Sequence, residues 1–522
     1  MKPTPATSRR PTAALWKPLL HRAGDASTLS LQAQVREMLV AAILDGQLPG
    51  GALVPSSREM ANALGIARNT VVIAYQQLAD DGFLLSRERS GHFVNPAMVA
   101  DQQPAMSDPD AKARNVGAAS RPDWQSRLCL RPTSQRSIVK PSDWQKDPYP
   151  FLYGQFDPTL FPTADWRECC MKTLSVLDTK EWAPDQIARD DDALVQQIRT
   201  RVLPRRGVWA AADELIVTVG AQHALYMVAD LLMREGTRVA FEDPGYPDAR
   251  NIFASRTSQL APIAVDGDGL PVDNRLRGFD YVYVTPSHQC PTGVTMPLAR
   301  REALLAMARE ADLIVIEDDY ESENRAVGAS IPALKSMDRN DRVIYIGSLS
   351  KSLAPGLRVG YIVAAPALIA ELRALRRLML RHPSTFIQRA FALYLSLGHH
   401  DAQLRRLAVA HSERYPALVA AVAQHMPCCT VIAASGGGSC WVRLPEGIGS
   451  HALASRAARR GVLLEPGDVF FMAEQPPAGY IRLGYQSIGA ASIDAGIQVL
   501  GEVIGEMMAI PVGDGDRGSR PA

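Results

Sequence analysis

The chain has no Cys-x-x-Cys pair and no Cys/His grouping with the spacing of metal ligands. Its seven cysteines include two adjacent pairs, Cys169–Cys170 and Cys428–Cys429, and three isolated residues, Cys129, Cys290 and Cys440. An odd, scattered set of thiols argues against a disulfide framework and against a zinc site, so reduced thiols and no metal are expected. Long apolar runs are also missing. None reaches the roughly 18 residues a membrane helix needs, and MKPTPATSRRPTAALWKPLL, at the start, has no apolar core of signal-peptide length. A cytoplasmic protein with no membrane partner is the expectation. An excess of one charge is lacking too: 56 Lys and Arg stand against 55 Asp and Glu. Any nucleic-acid binding must therefore reside in a local basic surface.

What is present divides by composition. At 522 residues the chain is too long for one simple core. Residues 1–28 read as an N-terminal tail, and 29–95 are dense in helical periodicity. The stretch 96–148 opens with PAMVADQQPAMSDPDAKARNVGAAS, which is too polar to offset its ordering entropy and reads as a linker. From 149 to 508 apolar strand-like runs alternate with amphipathic helices, and 509–522 read as a flexible tail. The strand candidates are Glu214–Val219, Arg238–Phe241, Tyr281–Thr285, Leu313–Glu317 and Val343–Ile346. Continuous apolar runs separated by helices predict an α/β unit with a mostly parallel sheet covered on both faces.

In the first module Leu31, Val35, Met38, Leu39, Ala42 and Ile43 form one apolar helix face. PSSREMANALGIARNTVVIAYQQLADDGF follows. Ser56 or Ser57 caps a short helix with Glu59 near its third position, Gly65 allows a tight turn, and a second helix starts near Arg68. FLLSRERSGHFVNP then reads as two short strands around Ser90 and Gly91, a wing. Arg68, Asn69 and Thr70 would meet base edges, with Arg58 and the wing residues Arg87, Arg89 and His92 on phosphates or the minor groove. The alternative is a small docking domain with solvated arginines. PSSREMANALGIARNTV, YQQLADDGF and SGHFV resemble a GntR-type winged helix, which implies operator DNA as partner.

Five stretches of the larger part could meet at one site. LIVTVGAQHAL places Gly220, Ala221 and Gln222 at a helix N-terminus, where backbone N–H groups suit a phosphate. FEDPGYP offers Tyr246 to stack on a ring. VTPSHQCPTG closes a strand with His288 and Cys290. LIVIEDDYESE sets Asp318 and Tyr320 after an apolar strand, where α/β sheets bind ligands. GSLSKSLAPGLRVGY supplies Lys351 among Ser348, Ser350 and Arg358, an amine beside a phosphate cradle. Taken singly, each has a plain structural reading.

Together, in this order, they resemble fold-type I pyridoxal-phosphate enzymes of the aminotransferase class, with a smaller C-terminal α+β subdomain. The resemblance implies that Lys351 is the Schiff-base lysine, that Asp318 faces the pyridinium nitrogen, that Tyr320 contacts the phenolic oxygen and that Tyr246 stacks on the ring. Ala221, Gln222, Ser348, Ser350 and Arg358 would hold the phosphate, and Arg482 in YIRLGYQSI would pair with a substrate carboxylate. One departure stands out. Cys290 occupies the place where aminotransferases carry an asparagine against the ring oxygen, and His288 either takes over that contact or is structural.

A GntR-type winged helix linked to such a domain resembles the MocR/GabR family of transcriptional regulators. The resemblance implies a homodimer that binds operator DNA and senses an amino compound by external aldimine formation. Two other readings stay open: a working aminotransferase with an N-terminal docking domain, and a repressor that senses pyridoxal phosphate itself.

Overall fold

The computed structural model describes residues 16–24, 29–87, 90–99, 122–321, 331–432 and 437–509, so Arg89 and the tail 509–522 beyond its first residue lie outside the described residues. The chain forms two compact units, Met1–Arg127 and Leu128–Ala522.

The first unit is built on four helices, α1 (Trp16–Gly24), α2 (Leu31–Leu44), α3 (Ser57–Leu64) and α4 (Arg68–Asp80), with a hairpin of β1 (Leu84–Arg87) and β2 (Gly91–Val94). Its core gathers Val35, Met38, Leu39, Ala42 and Ile43 from α2 with Met60, Leu64, Val71, Tyr75, Leu78, Leu84 and Val94. Leu31 departs from the expected face. As the first residue of α2 it projects beyond the packed turns and is 51% exposed. Ser56, rather than Ser57, is the cap: its hydroxyl accepts from the Glu59 N–H at 3.2 Å and Glu59 Oε2 accepts from the Ser56 N–H at 2.8 Å. That reciprocal pair satisfies two otherwise orphaned donors. Trp16, within the stretch expected as a tail, is buried in the same core because α1 is amphipathic enough to carry it there.

The segment expected as a linker is divided. Residues from Leu128 onward belong to the second unit. Trp144 is buried with Leu152 and Leu463, and Arg136 donates to the carbonyls of Phe471 and Ala473 at 3.0 and 2.9 Å. A polar composition concealed these few anchoring side chains.

The second unit centres on a seven-stranded sheet: β3 (Leu215–Thr218), β4 (Val239–Asp243), β5 (Leu260–Ala264), β6 (Tyr281–Val284), β7 (Ile314–Asp319), β8 (Val343–Ser348) and β9 (Gly360–Val363). The order is β3-β9-β8-β7-β6-β4-β5. Neighbours among β4 to β8 are parallel, whereas β9 runs antiparallel to both β3 and β8. The fold is thus α/β with a mixed, mostly parallel sheet. Because β4, β6, β7 and β8 run the same way, the segments after Asp243, Val284, Asp319 and Ser348 emerge at one edge. A second sheet of β10 (Thr430–Ile432), β11 (Ser439–Arg443), β12 (Glu465–Pro466) and β13 (Tyr480–Gly484) is antiparallel, in the order β10-β11-β13-β12. Its apolar face packs Val442, Ile481 and Leu483 against Leu418, Val422 and Ile497. None of the seven cysteines is in a disulfide. Among the described residues no helix is long and apolar enough to cross a membrane, and no acidic, His and Cys cluster is placed to hold a metal.

Candidate functional site

Two adjacent carboxylates end β7, and they have different fates. Strand alternation turns Asp318 and Asp319 to opposite faces. Asp319 accepts from Arg206 Nε and from the Tyr345 hydroxyl, both at 2.7 Å. Burial alone would raise its pKa, but the Arg206 guanidinium and these hydrogen bonds hold it below the ordinary carboxylate range. Arg206 also donates to Ser287 Oγ at 2.6 Å, so the Asp319 charge is balanced by a braced guanidinium, although its Oδ1 has no hydrogen-bond partner. Asp318 is 2% exposed, and its Oδ2 accepts from the Tyr283 hydroxyl at 2.8 Å. Its Oδ1 has no hydrogen-bond partner. Burial pushes its pKa up to about 7, against the opposing effects of Tyr283 and Lys351. Asp318, unlike Asp319, has no ion-pair partner among the described residues, so its open oxygen is the one that calls for a charged donor supplied by a ligand.

Lys351 lies in the turn after β8. Its Nζ donates to the Tyr153 hydroxyl at 3.1 Å and sits 4.3 Å from the Tyr153 ring centre and 5.3 Å from that of Tyr320. Burial lowers its pKa to about 8. Glu321 opposes that shift, while Lys140 and Arg482 add to it. The result is an amine much nearer to neutrality at physiological pH than an ordinary lysine.

Arg358 and the start of the helix Gly220–Leu232 form the next element. Arg358 is in the left-handed region at φ 52° and its Nη2 donates to the Val219 carbonyl at 3.4 Å. A β-carbon on Gly220 would fall 2.7 Å from that Nη2. Only glycine at Gly220 lets the guanidinium lie over the helix N-terminus, so cation and free N–H groups coincide. Ala221 is half-buried and Gln222 exposed. Ser348 is buried at the end of β8, whereas the Ser350 hydroxyl bonds the Val359 N–H at 2.7 Å and the Val359 carbonyl at 3.1 Å. That hydroxyl braces the turn.

Tyr246 packs with Cys290, Tyr320, Trp441 and Phe470, and its hydroxyl donates to Asp248 at 3.2 Å. The Tyr320 hydroxyl donates to the His288 backbone carbonyl at 2.8 Å. Cys290 is 3% exposed, and burial pushes its thiol up to about 12. Arg482 Nη1 lies 3.7 Å from its sulfur. Arg482 itself donates from Nε to Glu465 Oε2 at 2.6 Å, and its guanidinium lies 4.3 Å from the ring centre of Tyr153 and 4.6 Å from that of Phe470. The structure thus brings Lys351, Tyr320 and Arg482 around Tyr153. Asp318 is close enough to Lys351 and Tyr246 to feel their charge or impose its own.

In the first unit Arg58, Arg68 and Asn69 are exposed, and Thr70 is half-buried. Arg68 Nε donates to Ser57 Oγ at 3.3 Å, tying the start of α4 to α3. Ser90 and Gly91 are exposed at the hairpin tip. His92 is less free than the sequence suggested: its ring meets Tyr75 edge-on at 5.2 Å and Nδ1 shares a hydrogen bond with Ser86 at 3.0 Å.

Sequence reasoning missed Tyr153, Lys140, Glu465 and Glu321. A tyrosine in FLYGQFDP and a lysine in a polar stretch carry no pattern of their own. Glu465 becomes visible only through the pairing of β12 with β13, which sets it opposite Arg482.

Comparison with known proteins agrees with this division. Residues 31–94 match the family "Bacterial regulatory proteins, gntR family", and residues 192–496 match "Aminotransferase class I and II". HTH-type transcriptional regulator TauR of Rhodobacter capsulatus is 40% identical over 90% of this chain and 95% of its own. The probable rhizopine catabolism regulatory protein MocR of Rhizobium meliloti is 32% identical over 90% and 92%. Among solved structures, LysN, an alpha-aminoadipate aminotransferase from Thermus thermophilus complexed with N-(5'-phosphopyridoxyl)-L-leucine, superimposes with a TM-score of 0.67. It is 27% identical and covers 74% of this chain and 99% of that one.

Proposed function

The chain belongs to the MocR/GabR type of HTH transcriptional regulators, a gntR-family winged helix joined to a class I and II aminotransferase domain, and from that premise we propose that it holds pyridoxal phosphate at Lys351 and answers to an amino compound bearing an acidic group. The observation that carries the reading is a desolvated amine, Lys351, sharing its buried site with Asp318, whose Oδ1 is unpartnered. A pyridine nitrogen supplies the donor that this oxygen lacks, and the Gly220–Arg358 cradle suits a phosphate.

Bound pyridoxal phosphate supplies a carbonyl carbon that condenses with amines and a conjugated ring that withdraws electrons. The chain's own residues do the rest. Lys351, close to half neutral near pH 8, provides the nucleophile. Asp318 keeps a proton on the ring nitrogen. Tyr246 and Tyr320 exclude water from the ring, and Arg482 orients the incoming acid. With the cofactor bound, Lys351 would be the residue whose position depends on whether an effector amine is present, and that dependence would be what reaches the DNA-binding module.

A homodimer with two winged helices accompanies this reading. Its support is an apolar patch around 171–177, where Met171 is 64% exposed and Val176 and Leu177 are each 76% exposed. A cytoplasmic location follows from binding operator DNA.

The test is a gel shift on the DNA upstream of the protein's own gene, run with an absorbance screen of candidate amines. DNA binding should weaken steeply with salt, and an amine that changes the visible spectrum should change the DNA affinity. No DNA binding at low salt, together with rapid amino-group transfer, would overturn the reading and favour the working aminotransferase, whose Lys351 and Asp318 are equally present here.

A further inference from the structure

We propose that Lys140 is a second cation of the effector site, receiving the compound's acidic group together with Arg482, and that Glu465 restricts that group to a single negative charge. The inference rests on the reading that an amino compound reacts at Lys351.

Glu465 is 1% exposed and stands opposite Arg482 in the β12–β13 ladder, so it cannot swing away. Its Oε2 accepts from Arg482 Nε at 2.6 Å and its Oε1 lies 3.2 Å from Lys140 Nζ. One carboxylate is divided between two cations, which leaves the trio with one net positive charge. An isolated structural ion pair would have been neutral. Lys140 also donates to the Tyr153 carbonyl, yet an ammonium has three protons to give. Its side chain keeps 24% of its exposure, so the remaining donor is reachable.

Gly154 shows where a ligand would run. It is at φ 71°, and a β-carbon there would lie 3.3 Å from Lys351 Nζ and 3.7 Å from Lys140 Nζ. Any side chain would fill the space between the two amines, and glycine leaves it open. A short carbon chain laid in that gap has its nitrogen end at Lys351 and its oxyanion end at Lys140 and Arg482. The class of ligand is a short ω-amino acid or amino sulfonate. A dianionic acid would meet Glu465 with uncompensated repulsion.

The test uses the full-length protein loaded with pyridoxal phosphate, as wild type, Lys140→Met, Lys140→Arg and Glu465→Gln. Absorbance titrations with gamma-aminobutyrate, taurine, 2-aminoethylphosphonate and propylamine separate acid recognition from amine reactivity. Lys140→Met should weaken the first two by about tenfold or more relative to propylamine, which has no acidic group and reads any change in amine reactivity at Lys351, and Lys140→Arg should restore most of the loss. Glu465→Gln should strengthen 2-aminoethylphosphonate relative to taurine. Thermal unfolding with propionate and ethanesulfonate, which lack an amine, reads the anion site alone: both should stabilise wild type and neither Lys140→Met. Equal response of wild type and Lys140→Met to the acids, an equal loss for propylamine, or no stabilisation of wild type by either anion overturns the proposal. A spectrum unmoved by every amine, with the anion effect intact, would instead count against the proposed function.

Discussion

Arg58, Arg68 and Asn69 of the winged helix stand in solvent around a wholly apolar core, whereas Asp318, Arg482 and Glu465 of the aminotransferase unit are each no more than 2% exposed. Exposed side chains cost the fold little and can be exchanged freely, so their geometry alone says little about what they bind. Buried charges must be paired, or they mark a place where a ligand completes the pairing. The second unit contains both cases side by side: Asp319 has the Arg206 guanidinium as its counter-charge, whereas Asp318 accepts only from the Tyr283 hydroxyl, and each keeps one oxygen without a hydrogen-bond partner.

The largest effect that can test this contrast is Lys351→Ala. Borohydride reduction and peptide mass spectrometry should find the pyridoxyl label on Lys351 in wild type and none on the variant. A label on any other lysine of equal yield would remove Lys351 from its role. Next comes the core of the first unit. Leu39, fully buried in α2, should cost about 2–5 kcal/mol when changed to Ala. Denaturation and gel shifts should show DNA binding lost while cofactor uptake persists. Loss of both would mean that the two units do not fold separately. Asp318→Asn should then cost about 1.5–3 kcal/mol in cofactor affinity by equilibrium dialysis, because a neutral amide answers a pyridinium poorly. The same change at Asp319 should act on stability instead, since Arg206 would be left buried without its counter-charge. Arg68→Ala should weaken operator binding by about 1–3 kcal/mol. An unchanged affinity would leave Arg68 as a brace to Ser57 only.

Much of this was legible in the sequence, for physical reasons. Continuous apolar runs marked β4, β6, β7 and β8, and polar residues directly after such runs had to lie at one edge of a parallel sheet. Asp318, Lys351 and Tyr246 became site candidates that way. Two strands of the seven-stranded sheet escaped, as did the four of the second sheet. β5 is at the sheet edge and carries Pro262, which breaks the apolar pattern, and β9 is four residues long behind the Arg358 turn. The resemblance singled out Asp318 over Asp319, but the physical reason, which face each takes, lies in the strand pairing and not in the local sequence. Lys140, Tyr153 and Glu465 act through contacts between distant segments, which leave no local spacing to read.

The smallest effect concerns protonation of Lys351, and it tests how far the neighbours, rather than burial alone, set the site. Burial penalises the charged ammonium, so the pKa falls from the ordinary lysine value to about 8. Only the neutral amine attacks a carbonyl. The rate at which stripped protein takes up pyridoxal phosphate, followed by stopped-flow absorbance, should therefore rise as pH passes through 8 and level off above 9, by about tenfold between pH 7 and 9. A rate still climbing at pH 10 would mean an ordinary, solvated lysine. The charges around it predict opposite displacements of that midpoint. Glu321 stabilises the ammonium, so Glu321→Gln should move the midpoint down. Lys140 repels it, so Lys140→Met should move the midpoint up. If both variants left the midpoint in place, desolvation would be its sole determinant, and the cation beside Gly154 would be too distant to share a ligand with Lys351.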